Sequence, residues 1–597
     1  MRKILHTCAK FWATHKEDII KMIPALSLGG VILLKLFIDP PRTIVTGSSQ
    51  IMMIGLATSI GFGLGWFLSP DAKHARRMAA FIALLILLLS GLGSNGVTGY
   101  SMTLILSVIG FFWALGYWLG TVIKGLASPP TTFGSAEWAT LPYLQEHRVI
   151  GETGIRLGQF NTKDGSAPLH YDGDRHLLTV APTRSGKGTT TIIGNLLTYE
   201  GSILVIDPKG ENAMITAERR ETMGQNIHIV DPWMITGSAS PARFNPLDWL
   251  VKGDVDITEN AMLLADALIV PDNKGDSFWS EEAKALLQGI ILYVATDDRE
   301  TGYRHLGRVR DLLLLDGDDM KEFFERMLDS THHIVRSTGA RCLQKEERLL
   351  ANVIASAQAQ THFLDSARIR ESLSASDFKF EDLKASKMTI YLVLPADRLE
   401  TFSRWLRLLI QQAITVNARN IETKPDKPVI FLLDEMPALG RLSMVEQAFG
   451  LMAGFGMQLW GIVQDLNQLK GIYGERYEGM IANSGMIQYF GSRDRMTAEY
   501  FQALCGVTTV WNFSTAIARA FGTSIGKGGV TSNSSTTNTE TTSATQRQLA
   551  YADELMRMHE SKELIFINNL NPIIGTKVKW FEDETLKALG RNLHQTK

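Results

Sequence analysis

The apolar positions along this chain change their spacing twice. In residues 1–125 they run together in long stretches with few acids between them, at about 22–38, 51–69, 78–92 and 102–123. A hydrocarbon core ~30 Å thick takes about 20 apolar residues in a helix. The second and fourth stretches meet that length, the first holds Lys35 close enough to its end to snorkel, and the third is short. Four membrane-spanning helices are the expectation for 1–125. Beyond the Pro129-Pro130 boundary the apolar runs shorten and are bounded by Gly, Pro or Asp: 176–181, 202–206, 227–230, 388–394, 428–433, 457–463 and 486–490. Strands of this kind, separated by helical patterns, predict a parallel sheet covered on both faces. Between about 250 and 385 the apolar residues keep helical spacing and no strand pattern intervenes, which predicts an all-α domain inserted between strands of the sheet. The sheet domain itself is then assembled from 131–249 and 386–585. Residues 131–176 read as a mixed, turn-rich lead-in, and 523–546, rich in Ser, Thr and Gly, as a flexible low-complexity insert.

Charge gives the first part of the chain a direction. Arg2, Lys3, Lys10, Lys16 and Lys21 precede the first apolar stretch, Lys73, Arg76 and Arg77 separate the second from the third, and Lys124 follows the fourth. The intervening loops at 39–50 and 93–101 carry only Asp39 and Arg42. The positive-inside rule places both the N-terminus and the large C-terminal part in the cytoplasm. A cleaved signal peptide fits poorly, since the leading arm is long and polar and more spans follow. The net charge of −2 over 597 residues gives no global basic field for nucleic acid, so any such contact is local. Cys8, Cys342 and Cys505 are scattered, which excludes a disulfide framework and a cysteine zinc site.

The chemistry is concentrated where apolar runs end. Residues 177–191, LLTVAPTRSGKGTTT, turn a strand into a Gly- and hydroxyl-rich loop and then into a helix start. Such a loop turns free N–H groups toward phosphate and adds a lysine charge. Ala181 stands at the first glycine position of the strict pattern and Gly188 at its Ser/Thr position, with Thr189 to Thr191 behind. Residues 428–435, PVIFLLDE, end a strand on Asp434, suited to a magnesium ion, followed by Glu435, suited to polarising water. Residues 457–464 end another on Gln464, an amide able to sense a γ-phosphate or merely to cap the next helix. In 207–212, DPKGEN, Lys209 and Glu211 are either site residues or turn residues.

With APTRSGKGTTT, IDPKGEN, FNPLD, DSFWSEEA, LLDEMPALGR, QDLNQL followed by YGERYEGMIAN, and DRMTAEYFQALCG in that order, the chain resembles the type IV secretion system coupling proteins, the TraG-type conjugal transfer ATPases. The closing RQLAYADELMRM and ELIFINNLNPI extend the likeness to about residue 585. The resemblance implies a RecA-like P-loop NTPase domain carrying an all-α insertion. It also implies an anchor in the bacterial inner membrane, a homo-hexameric ring, and ATP with Mg2+ as ligands. Lys187 would then meet the β/γ-phosphates within a loop of Thr183, Arg184, Ser185, Gly186, Lys187, Gly188 and Thr189, with Thr189 and Asp434 on the metal, Glu435 on the water and Gln464 reporting hydrolysis. An arginine from the neighbouring subunit would complete the site; Arg184, Arg441, Arg493 and Arg495 are all available.

The resemblance implies partners too: inner-membrane components of the secretion system, the lipid bilayer, and a relaxase-bound single strand of DNA or effector proteins as cargo. The insertion, with Arg304, Arg308, Arg310, Arg336, Arg341, Lys345 and Arg348, is the expected cargo-reading surface, although interspersed acids make an ordinary solvated face the better reading of those charges. Two other functions are open: a membrane docking receptor with a weak or structural NTPase, and a DNA translocase of the chromosome-segregation type. The Asp434-Glu435 pair opposes the first, FNPLD and QDLNQL the second.

Overall fold

The computed structural model describes residues 133–593 apart from 163–164, 271–276 and 527–528, together with the single positions Ile109, Phe112 and Gly116. The four expected membrane spans lie outside the described residues, and no helix among those described is long and apolar enough to cross a membrane. The chain divides into two compact units, Met1–Phe133 with Thr509–Gln546, and Gly134–Thr508 with Arg547–Lys597.

The second unit is built on an 11-stranded sheet. Its seven parallel strands are β3 (Leu177–Val180), β4 (Ile203–Asp207), β5 (Asn226–Val230), β6 (Met388–Val393), β7 (Val429–Leu433), β8 (Met457–Val463) and β9 (Met486–Tyr489). They lie in the order β9-β3-β8-β7-β4-β6-β5. The remaining four, β1 (Ile155–Thr162), β2 (Gly165–Tyr171), β12 (Lys562–Ile567) and β13 (Ile573–Thr576), extend the sheet beyond β9 in antiparallel fashion. The purely parallel sheet expected from the apolar runs is therefore corrected to a mixed one. The antiparallel strands form hairpins, and a hairpin needs no covering crossover helix and tolerates polar positions. β1 and β2, which occupy part of the turn-rich lead-in, read IRLGQFNT and GSAPLHY.

Burial follows the pleat. Ile203, Val205, Ile430 and Leu432 enter the core on one face of the sheet, while Leu204, Ile206, Phe431 and Leu433 enter the core on the other. Every residue of β3, β4, β6, β7, β8 and β9 is buried. Between β5 and β6 the regular elements among the described residues are all helices, with Ile257–Leu268, Ser277–Thr296, Leu306–Leu313, Gly317–Leu328, His333–Gln344 and Glu347–Thr361 the longer ones. After β6, the helix Leu399–Arg419, kinked at Phe402, buries an unbroken run from Trp405 to Asn417.

The segment 523–546, expected as a flexible insert, carries the end of β10 (Val507–Gly526) and most of β11 (Gly529–Gln548), paired as two strands. Threonine, frequent here, is β-branched and suits a pleated strand even where little apolar surface is available.

Candidate nucleotide site

The loop after β3 has the backbone that phosphate binding requires. Gly186 sits at φ 93° and Arg184 at φ 63°, so the chain doubles back between Pro182 and Lys187. A π-helical turn, Gly188–Ile192, then runs into the helix Ile193–Thr198. The first N–H groups of a helix have no partner within it and carry its positive dipole end. The far end of this helix is fastened from inside the protein, where the fully buried Arg220 guanidinium donates to Leu196 O, Tyr199 O and Gly201 O at 2.6–3.0 Å.

The carboxylates reach the loop across an intervening strand. β8 separates β3 from β7, so Asp434 does not end the strand next to the loop. Lys187 bridges the gap: its Nζ lies 2.8 Å from Asp434 Oδ1 and 3.0 Å from Glu435 Oε2. Gln464, at the end of β8, stands between, and its Nε2 donates to Glu435 Oε1 at 2.6 Å. The cap of the following helix, Leu466–Tyr473, is Asp465, whose carboxylate accepts from Gln468 N at 2.9 Å. Gln464 is therefore not that cap. Lys187, Asp434, Glu435 and Gln464 converge from three strand ends.

Burial works against the Lys187 ammonium, but Asp434 and Glu435 outweigh it and hold its pKa above the usual lysine value. Burial also raises Asp434, against the pull of Lys187. Glu435 adopts a left-handed conformation, φ 61° and ψ 45°. For a glutamate this is a strained state that persists only where its surroundings impose it, and such states gather at functional sites.

The residues fit a magnesium nucleotide. Ser185 Oγ is buried without a hydrogen-bond partner, and the buried Asp434 Oδ1 is met by the Lys187 ammonium at 2.8 Å. The hydroxyls of Thr189 and Thr190 both donate to Gly186 O, at 3.1 and 2.9 Å, so two hydroxyls follow Gly188 within one turn. A cavity of ≈ 700 Å³ adjoins the loop, lined by Thr183, Arg184, Ser185, Gln464, Arg493 and Lys577 among others. Lys577 donates to Ser185 O at 2.9 Å. Of the four arginines noted in the sequence, Arg184 and Arg493 face this cavity, while Arg441 pairs with Glu446 and Arg495 with Glu499.

Lys209 and Glu211 are exposed, and Glu211 begins the helix Glu211–Thr222, where an acid complements the helix dipole. The residue of that segment that feels the charge of Asp434 is one the sequence reading passed over. Asp207, fully buried at the end of β4, has its carboxyl pushed up to about 6 by burial, against three backbone N–H bonds, with the Asp434 charge adding to the rise. Its position as the last residue of an apolar run was the available sign. In the helical segments, Arg308 pairs with Glu300, Arg310 with Asp365 and Lys345 with Glu282, so these three serve the local structure.

Comparison with known proteins gives a consistent result. Residues 133–597 match the family model described as type IV secretory system conjugative DNA transfer. A conjugal transfer protein, TraG, of Escherichia coli is 27% identical over 542 residues, covering 82% of each chain. Protein VirD4 of Rhizobium radiobacter is 26% identical over 76% of this chain and 65% of its own. Among solved structures, the plasmid coupling protein TrwB in complex with the ATP analogue ADPNP superposes with a TM-score of 0.55 at 13% identity, over 76% of this chain and 95% of its own. TrwB with ADP and Mg2+ gives 0.53 at 14% identity, over 74% and 94%. The fold is thus the α/β fold of a P-loop NTPase.

Proposed function

Because the chain belongs to the type IV secretory system conjugative DNA transfer family, we propose that it is a coupling ATPase, which hydrolyses ATP to deliver recruited substrate to a secretion channel. The observation that carries this reading is the meeting of Lys187 with Asp434 at 2.8 Å and Glu435 at 3.0 Å, and of Glu435 with Gln464 at 2.6 Å, beside a loop at a helix N-terminus. An ammonium, two carboxylates and an amide have no packing reason to share so small a volume. A protein of similar fold, the plasmid coupling protein TrwB, has been solved with an ATP analogue and with ADP and Mg2+.

In this reading Lys187 releases Asp434 and Glu435 to meet the β/γ-phosphates, and the N–H groups of Ser185 to Thr189 surround them together with Thr183 and Arg184. Asp434 and a hydroxyl, Thr189 or its neighbour Thr190, hold Mg2+. Mg2+ when bound neutralises charge developing on the phosphates. Glu435 orients the attacking water, accepting its proton, and Gln464 follows the change through its bond to Glu435. The nucleotide-binding domain comprises 131–249 and 386–585, with 250–385 as an all-α domain facing the cargo. Residues 1–125 anchor the protein in the inner membrane, and six copies form a ring with an arginine lent across each interface. The cargo is single-stranded DNA led by a relaxase, or effector proteins. Lys187→Ala is expected to abolish ATP hydrolysis by the detergent-solubilised full chain while membrane insertion is unchanged. Normal turnover in that variant overturns the assignment.

A further inference from the structure

The helix Leu399–Arg419 carries an arginine that the nucleotide site does not use. Arg407 is 2 % exposed, and its guanidinium donates to three carbonyls. Ala267 O, 3.2 Å away, belongs to the last turn of the helix Ile257–Leu268 in the helical segment. Leu439 O and Arg441 O, each at 2.7 Å, belong to the loop that follows Asp434 and Glu435. A planar guanidinium suits such a three-way bond, and a lysine ammonium reaches fewer of these partners at once. Burial lowers its pKa to about 10, so it remains a cation at neutral pH.

The path from Arg407 to the water-orienting carboxylate is one tight turn long. Glu435 is the residue that opens the turn Met436–Leu439, and its carbonyl accepts from Ala438 N at 2.9 Å. Gly440 N closes on Pro437 O at 3.0 Å. Leu439 O, at the end of the turn, is the acceptor that Arg407 holds. A left-handed glutamate stays in place only while neighbouring bonds over-determine it, and Arg407 supplies the restraint on the downstream side. Other side chains of the same helix also reach the helical segment: Gln411 Nε2 donates to Leu263 O at 2.7 Å, and Arg419 to Asn260 Oδ1 at 2.6 Å. Those bonds end between the helices, whereas those of Arg407 continue to the loop.

We propose that Arg407 is a positioning residue through which the helical insertion sets the placement of Glu435, so that displacement of the helix Ile257–Leu268 by cargo changes the rate of ATP hydrolysis. This rests on the reading of Glu435 and of the insertion given above. The test is steady-state ATP hydrolysis by the full chain in detergent, with and without single-stranded DNA, for the wild type, Arg407→Met, Arg407→Lys and Gln411→Leu. Arg407→Met keeps the length and loses every donor. It is expected to lower kcat about tenfold or more at unchanged KM for ATP, as for a misplaced catalytic group, and to lose any response to DNA. Arg407→Lys is expected to fall between, and Gln411→Leu, which cuts a bond between the same two helices, to keep the wild-type kcat and response.

Wild-type kcat in Arg407→Met, a KM that moves with kcat, a retained DNA response, or an equal defect in Gln411→Leu each overturns the proposal. Should thermal melting show Arg407→Met unfolded, Arg407→Lys decides on the same readouts. A wild type that hydrolyses ATP but ignores DNA leaves the kcat and KM comparison to decide. A wild type that does not hydrolyse ATP overturns the assigned function instead.

Discussion

Glu435 is held by three things at once: Lys187 on one carboxylate oxygen, Gln464 on the other, and a left-handed backbone beneath. In the proposed function the Lys187 contact competes with nucleotide, since the same ammonium would serve the phosphates. Glu435→Gln is therefore expected to bind ATP at least as tightly as the wild type while hydrolysis falls by on the order of 10²-fold or more, the usual worth of a positioned general base. Fluorescent-nucleotide titration beside single-turnover hydrolysis checks both halves; hydrolysis at the wild-type rate removes Glu435 from the water-orienting role, and substrate transfer retained by Glu435→Gln favours the docking-receptor reading of the chain. Lys187, Asp434, Glu435 and Gln464 were legible in the sequence because each directly follows or ends a landmark, a glycine-rich loop or an apolar run. The strain at Glu435 was not legible, since nothing in the letter glutamate announces a positive φ. Nor was Arg407, which reads as one more polar position on an amphipathic helix until the loop it holds is folded beside it.

The strands of the parallel sheet were readable for a similar reason. All but the edge strand β5 are buried along their whole length and are therefore mostly apolar, and each of the seven runs picked out in the sequence carries one. Their order was not readable: that β8 lies between β3 and β7 is a property of crossovers, and no residue in either strand records it. Of the antiparallel strands, β1 and β2 mix polar with apolar positions and offered no apolar run to read, and even among the strands that were read, polar residues satisfy one another inside the sheet. Trp460 Nε1 donates to Thr179 Oγ1, Thr179 Oγ1 donates to Gln488 Oε1, and Gln488 Nε2 donates to Glu563 Oε2, a line of bonds crossing β8, β3, β9 and β12 at 2.9–3.1 Å. Glu563 ends the line fully buried, and burial pushes its pKa up from 4.5 to about 8, with Lys577 pulling the other way. A carboxyl raised in the folded state stabilises the fold fully below its unfolded pKa, and that contribution is lost as pH rises through the folded value. Glu563→Gln, neutral at every pH, is expected to gain stability relative to the wild type between pH 4.5 and 8. The gain is on the order of 4 kcal/mol by the end of that window. Thermal midpoints of the two proteins at either end measure it, and a pH-independent difference rules out a neutral Glu563.

A motor that lends an arginine across each interface has a ring as its working unit, and a ring of identical chains closes through head-to-tail contacts. The site geometry makes that requirement specific. Within one chain Lys187, Asp434, Glu435 and Gln464 already meet, and Arg184 and Arg493 line the adjoining cavity, whereas Arg441 and Arg495 are paired with Glu446 and Glu499 at the surface. Two assemblies follow, and they differ in how a dead subunit behaves. Where each chain hydrolyses alone, mixing in Lys187→Ala chains lowers activity in proportion to their share. Where a site is completed by the next subunit, and hydrolysis is handed round the ring, one inactive chain silences its neighbours as well. Wild-type and Lys187→Ala chains, co-expressed and purified together at an equal ratio, are therefore expected to show ATPase activity far below half that of the wild type. The same deficit is expected when substrate delivery is scored. A linear decline of hydrolysis with the share of variant chains removes the cross-subunit arginine from the mechanism and leaves Arg184 and Arg493 of the same chain to complete the site.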